Sequence, residues 1–266
     1  MKLIQRVPGA LRLFPPFVGR ELREQYAGSL LGVVWSLLQP LLFILLYWWV
    51  FAAVMRVRFP ADSGLADTPF IVFLLSALLP WFALQDGLNR AAGAILNRRD
   101  MVRKVHFPVR VFPLAAAAAA FIVHAGSYLL FLAALALWRG GLPASGWLAV
   151  AVLLSLQFAI TAGLGLLLAA LTVYLRDIQQ VLGLLLAALF YTAPVLYPLS
   201  QAPVEFHRLI YLNPFTAFAE AYHDAVLVGV WPDPLVLAGL GLFAFGALIV
   251  GVHVFRRLEP GFADVL

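Results

Sequence analysis

Cysteine is absent from the 266-residue chain, which excludes disulfides and thiol chemistry and leaves no clue to redox compartment. Lysine is almost absent: Lys2 and Lys104 are the only two, and neither ends a Gly-rich G-x-x-x-x-G-K-[ST] loop. The chain therefore has no such loop with which to cradle a nucleotide. Charge is scarce altogether, at 12% of residues, while 64% are hydrophobic. A soluble domain is roughly half apolar and about a quarter charged. No soluble packing scheme hides this much apolar surface, so the bilayer is the solvent. Two motifs of hydrolytic enzymes, H-E-x-x-H and G-x-S-x-G, are missing as well. Nothing at the N-terminus has the pattern of a signal peptide. The first apolar run begins near Val33 and is too long for a signal core, so it is expected to remain as a span.

Six apolar segments stand out, at about 33–54, 70–87, 114–138, 147–173, 181–198 and 235–255. The first is long enough at about 1.5 Å per residue to cross a hydrocarbon core of roughly 30 Å. The fifth carries Pro194 and Pro198 in "LFYTAPVLYP", which predicts a broken or kinked outer end. With no internal repeat, the expectation is an all-α membrane protein with one six-span domain over 33–255. A cytoplasmic segment, 1–32, precedes it, and a short cytoplasmic tail, 256–266, follows.

The few charges are unevenly placed. Arg98, Arg99, Arg103, Lys104 and Arg110 crowd into "NRRDMVRKVHFPVRVFP", with Arg90 just upstream. Together with Lys2, Arg6, Arg12, Arg20, Arg23, Arg176, Arg256 and Arg257 they put fourteen of the eighteen Lys and Arg residues on one side. Arg56, Arg58, Arg139 and Arg208 occupy the other. The positive-inside rule then places both termini in the cytoplasm. Orientation needs the charge but no particular order. A helix-like run from Arg90 to Met101, stopped by Pro108 and Pro113, also has the form of a rigid lever into a partner's groove.

Two segments read as interfacial. In "PFVGRELREQYAGSLLG", Leu22, Tyr26 and Leu30 recur at i, i+4 and i+8, with Arg20, Glu21, Arg23 and Glu24 largely elsewhere. That predicts an amphipathic helix near 16–31 on the cytoplasmic surface, Leu22 and Tyr26 toward lipid, Arg23 and Glu24 toward water. Between spans five and six, "NPFTAFAEAYHDAVLVGVW" starts with Asn213 as cap and Pro214 in the first turn. Phe215, Phe218, Tyr222, Ala225 and Val226 make an apolar face opposed by Glu220, His223 and Asp224, so outer re-entrant helices are expected here.

Polar groups within the spans are rare. Asp86 lies at a doubtful end, and His124 is the one clearly central ionisable group. Ion-coupled carriers generally need buried ionisable groups or broken helices at mid-membrane, and one histidine is a thin basis for that. A packed or lumen-facing role fits His124 better. Glu220, His223 and Asp224 have the spacing for a metal or acid–base pair, against which stands the wet face of an interfacial helix. Ser155, Ala159 and Gly163 step by four, and Ala115 to Ala120 open the third span; both patterns favour close helix approach.

"RELREQYAGSLLGVVWSLLQPLLFILLYWWVF" resembles the surface helix and first span of ABC-type polysaccharide exporter permeases. "ILNRRDMVRKVHFPVRVFPLAA" is similar to their first cytoplasmic connection, and "YLRDIQQVLGLLLAALFYTAPVLYP" to the fourth-to-fifth connection and the span after it. "YLNPFTAFAEAYHDAVL" resembles their outer re-entrant region. Each motif is weak by itself; four in order over nearly the whole chain are specific. The resemblance implies a transmembrane subunit of an exporter of lipid-linked O-antigen, capsule or teichoic-acid chains in the bacterial inner membrane. It implies a homodimer, two separate ABC ATPase subunits below, and no cofactor in this chain, since ATP and Mg would belong to the ATPase.

The same resemblance implies that Asn97, Arg98, Arg99, Asp100, Met101, Arg176 and Asp177 couple to the ATPase. Leu22, Arg23 and Tyr26 belong to the interfacial helix. In the outer half of span one, Phe43, Tyr47 and Phe51 recur four apart with Trp48 beside them. Sugar rings have apolar C–H faces, so such a ladder suits a sliding glycan; Trp and Tyr at this depth also suit interfacial anchoring. A drug or small-lipid exporter of the same superfamily, a membrane-embedded enzyme of envelope synthesis and a non-transporting scaffold remain open alternatives.

Overall fold

The computed structural model describes residues 10–25, 28–29, 31–57, 59, 68–104 and 108–266, and they are all-helical, with no strand among them. Tyr26 and Leu30 of the expected surface helix lie outside the described residues. In chain order the helices are α1 (Ala10–Glu24), α2 (Trp35–Tyr47, running on as a π-helical segment Trp48–Val54) and α3 (Phe70–Gly93). The short α4 (Arg99–Lys104) follows, then α5 (Val111–Arg139), α6 (Ala144–Tyr174) and α7 (Ile178–Thr192). The short α8 (His207–Leu212) and α9 (Pro214–His223) precede α10 (Pro234–Leu258) and the terminal turn α11 (Phe262–Val265).

Each apolar segment of the sequence forms a helix. Four of these, α3, α5, α6 and α10 with its continuation, are long and apolar enough to cross a membrane. The apolar parts Leu41–Val54 and Ile178–Thr192 are shorter. Helix α7 stops at Thr192, before Pro194 and Pro198, so the expected break falls at its C-terminal end. The second segment differs from expectation. Helix α3 does not end near residue 87 but continues to Gly93, carrying Asp86 and Arg90 inside the helix. Those two charges bond to each other across one turn, Arg90 Nε to Asp86 at 2.8 Å, which lowers the cost of housing them there.

Helix α6 is the hub, and its small residues explain why. A Cβ on Gly163 would lie 2.5–2.6 Å from the Ala247–Leu248 backbone of α10, and one on Gly251 would collide with the Gly163 carbonyl. On another face, a Cβ on Gly165 would sit 2.9 Å from Ala91 of α3. These contacts place backbones at a separation only glycine permits, which is how helices associate when lipid supplies no hydrophobic drive. Of the small residues stepping by four, Gly163 makes the closest approach, while Ser155 is exposed.

Pro80 lies inside α3 and removes the N–H that would bond the Ser76 carbonyl. Tyr128 of α5 supplies the missing donor, its hydroxyl 2.9 Å from Ser76 O. Gln157 of α6 donates to the Pro80 carbonyl at 2.6 Å and accepts from the Tyr222 hydroxyl at 2.8 Å. Four helices are thus tied at one proline by polar groups that are each satisfied, the condition for backbone polarity in an apolar interior.

Helix α1 starts earlier than expected, at Ala10, and ends at Glu24, with Pro15 and Pro16 inside it. Both prolines are exposed, so water or headgroups can serve the carbonyls they leave free. Its apolar face does not turn to lipid alone. Val18 is buried against Ala115, Ala118 and Ala119 of α5, with Phe14, Phe17 and Leu22 packed around them. The alanine run lets α1 lie close on α5. Cysteine scanning in this cysteine-free chain tests the arrangement. Arg12→Cys and Arg23→Cys, both at exposed positions, are expected to label at least about tenfold faster than Val18→Cys, because a buried site reacts only through opening. Equal rates would show that α1 does not rest on α5.

Candidate functional site

Chemistry concentrates at the end of the molecule where α3 and α6 finish. Ile95, fully buried, pins the chain after α3, and a 3-10 turn (Leu96–Arg98) swings it into α4. Arg98 is not free at the surface. It bonds Glu21 and, at 2.7 Å, Glu24, both on α1, and lies 5.7 Å from the Phe112 ring centre. Phe17 closes the packing, edge-on to Phe112 at 5.4 Å. The Arg20 hydrogen bond first, with Arg98 beside it, holds the Glu24 carboxyl below its usual range against a smaller effect of burial. Arg98 therefore fastens α1 to the connection.

The remaining expected residues divide. Met101 is partly buried against the cluster of Ile95, Phe112, Phe255 and Phe262 and anchors α4. Asn97, Arg99 and Asp100 are exposed. In the second connection Arg176 and Asp177 are exposed too. Asp177 holds the N-cap position of α7, but its side chain makes no capping bond. Gly93 brings the two connections together: a Cβ there would lie 2.7 Å from Gln179 Nε2 and 3.4 Å from Asn97 Nδ2. The partners Glu21 and Glu24 were missed by sequence reasoning. Their signal was present in the acidic residues of an amphipathic helix upstream of a basic turn.

Along α2 the aromatic ladder leans inward. Phe43 packs on Phe82 of α3 at 5.5 Å between ring centres, and Phe51 on Phe70 at 5.2 Å. Tyr47 stacks on Phe51 at 6.1 Å. Tyr47 and Phe51 are half-buried by these contacts; Phe43 and Trp48 are exposed. Below Phe82 the same α3 face carries Asp86 and Arg90, and His124 Nε2 of α5 lies 3.4 Å from Asp86 Oδ2. His124 is thus not solitary but stands with Asp86 and Arg90 in a polar trio beside the ladder.

At the opposite end, Asn213 does cap α9, accepting from Phe215 N at 2.9 Å with Pro214 following. Its amide also donates to Leu189 O and Thr192 Oγ1 of α7, at 2.6 and 3.0 Å. One residue thereby sets both the helix start and its attachment. The expected wet face needs correction. His223 is buried, its ring stacked on Phe73 at 4.0 Å, while Asp224 is exposed and Glu220 intermediate. Burial takes the histidine out of the wet face on which it was grouped with the two acids. Among the described residues no group of His, Cys, Asp and Glu has the placement to hold a metal.

Curated proteins resemble the chain along its length. The O-antigen export system permease protein RfbA of Myxococcus xanthus is 31% identical over 99% of each chain. A Klebsiella pneumoniae protein of the same name is 25% identical over 93% of this chain and 92% of its own. The polysialic acid transport protein KpsM of Escherichia coli is 26% identical over 90% and 91%. The family model described as ABC-2 type transporter matches residues 17–227, from the middle of α1 to the segment after α9. With apolar helices throughout and relatives matched end to end, the chain is a multi-pass membrane protein belonging to the ABC-2 type transporter family.

Proposed function

We propose that the chain is the channel-forming permease of an ATP-driven exporter that moves lipid-linked polysaccharide across the bacterial inner membrane. The observation carrying this is similarity along nearly the whole chain to an O-antigen export system permease protein and a polysialic acid transport protein. Those names favour polysaccharide over drug or small-lipid export. On this reading α2 with its π-helical extension and α7 are the two shorter spans, which makes six, and α8 and α9 re-enter the outer leaflet. Both termini are cytoplasmic, two copies enclose the path, and two ABC ATPase subunits bind beneath.

Asn97, Arg99, Asp100 and Met101 on one connection, with Arg176 and Asp177 on the other, form the ATPase contact. Arg98 acts through its bonds to α1. Phe43, Tyr47 and Phe51, with Trp48 beside them, border the glycan path. Leu22 and Arg23 belong to the interfacial helix, as does Tyr26.

The test separates docking from folding. Arg99→Glu with Asp100→Arg is expected to reduce co-purification of the co-expressed ATPase at least about tenfold, as loss of charge complementarity at an interface does. Membrane level and thermal stability should not change, because both side chains are exposed. Arg98 is spared, since its reversal would repel Glu21 and Glu24 and release α1. Undiminished co-purification and export in the double variant would refute the docking assignment.

A further inference from the structure

A groove of about 430 Å³ opens between α1, α5, α6 and α10, apart from the aromatic ladder and the exposed connections. Its walls are apolar, formed by Phe14, Leu114, Phe158, Leu166, Val252 and Phe255. At one end stand two arginines, Arg110 at the start of α5 and Arg256 in the last turn of α10. Both are exposed, and neither forms an ion pair within 4 Å among the described residues. Glu259 attracts both guanidiniums from nearby. One carboxylate against two guanidiniums still leaves the mouth positive.

We propose that this groove binds an anionic phospholipid of the bulk membrane, one acyl chain in the slot and the phosphate between Arg110 and Arg256. Charge and shape together select the occupant. An apolar slot in a bilayer-embedded bundle is filled by hydrocarbon, and paired arginines at its mouth, where the helices leave the membrane, recognise phosphate. A zwitterionic lipid supplies the tail without net charge; free phosphate supplies charge without a tail. Because Phe14 of α1 forms part of the wall, the lipid also bridges the interfacial helix to the core of the bundle. The lipid belongs to the leaflet at which α10 ends, the cytoplasmic one on the orientation proposed above; binding itself does not depend on what is exported.

The experiment uses the purified full chain in neutral detergent, titrated with phosphatidylglycerol, phosphatidylcholine or inorganic phosphate while thermal unfolding is followed. Phosphatidylglycerol is expected to raise Tm, and the other two to leave it unchanged at the same concentration. Arg110→Gln with Arg256→Gln should weaken the apparent affinity roughly thirtyfold, from about 1 kcal/mol per basic residue. Arg257→Gln, one position along and outside the groove, should retain it. Val252→Phe, which narrows the slot and leaves both arginines, should weaken binding as well. The proposal is overturned if phosphatidylcholine stabilises equally, if inorganic phosphate alone suffices, or if Arg257→Gln loses as much as the double variant.

Discussion

Replacing Gly251 by leucine is expected to abolish folded protein in the membrane, while Gly246→Leu on the same helix leaves it near the wild-type level. A Cβ at Gly251 collides with the Gly163 carbonyl, and one at Gly163 would lie 2.5–2.6 Å from the Ala247–Leu248 backbone. Backbone cannot step aside as a flexible side chain can, so α6 and α10 must separate along their whole contact. Overpacking a tight core already costs about 1–3 kcal/mol, and prying apart two principal helices lies above that range. At Gly246 nothing among the described residues stands within 4 Å of the added carbon, which isolates the steric effect from helix propensity. Gly163→Leu should match Gly251→Leu, since both substitutions strike one contact. The measurements are the amount of membrane-inserted protein and the Tm of what can be purified. A Gly251→Leu protein with wild-type yield and Tm would show that α6 and α10 are not held in this contact.

Why some of this was legible in the sequence and some was not follows from the kind of signal each feature leaves. Helix positions were readable because apolar runs in a bilayer protein are long and uninterrupted, and α5 and α6 fall within three residues of the expected bounds at each end. The Asn213–Pro214 start was readable because capping is local: the donor lies two residues from the acceptor. The end of α3 was misplaced for the opposite reason. Asp86 and Arg90 look like the exit of a span unless it is known that they neutralise each other and that His124, on a different helix, stands beside them. Arg98 posed the same difficulty. Its charge was visible, but not that Glu21 and Glu24, more than seventy residues upstream, consume it. Likewise α1 was expected near 16–31 but begins at Ala10, because Pro15 and Pro16 are tolerated inside it where they face outward. Long-range pairing, not local propensity, is what a single sequence hides.

That distinction redirects the test of the aromatic ladder. Tyr47→Ala with Phe51→Ala is expected to reduce surface polysaccharide at least about tenfold, but these rings also pack on α3 through Phe70 and the surrounding core. Truncating fully buried aromatics costs about 3–5 kcal/mol, and half-buried ones a fraction of that. Lost export in the double alanine variant can therefore arise from lost protein. Tyr47→Leu with Phe51→Leu keeps most of the apolar bulk and removes the flat faces on which sugar rings stack. If the ladder borders the glycan path, the leucine variant retains wild-type protein level and ATPase association and still exports poorly. Trp48 separates this role from anchoring. It is exposed at the start of the π-helical segment and near the expected interface, so Trp48→Leu should disturb export less than the double leucine change if its function is to hold the helix at the headgroups. Normal export by a normally abundant Tyr47→Leu/Phe51→Leu protein would remove the ladder from the path and leave it as packing between α2 and α3.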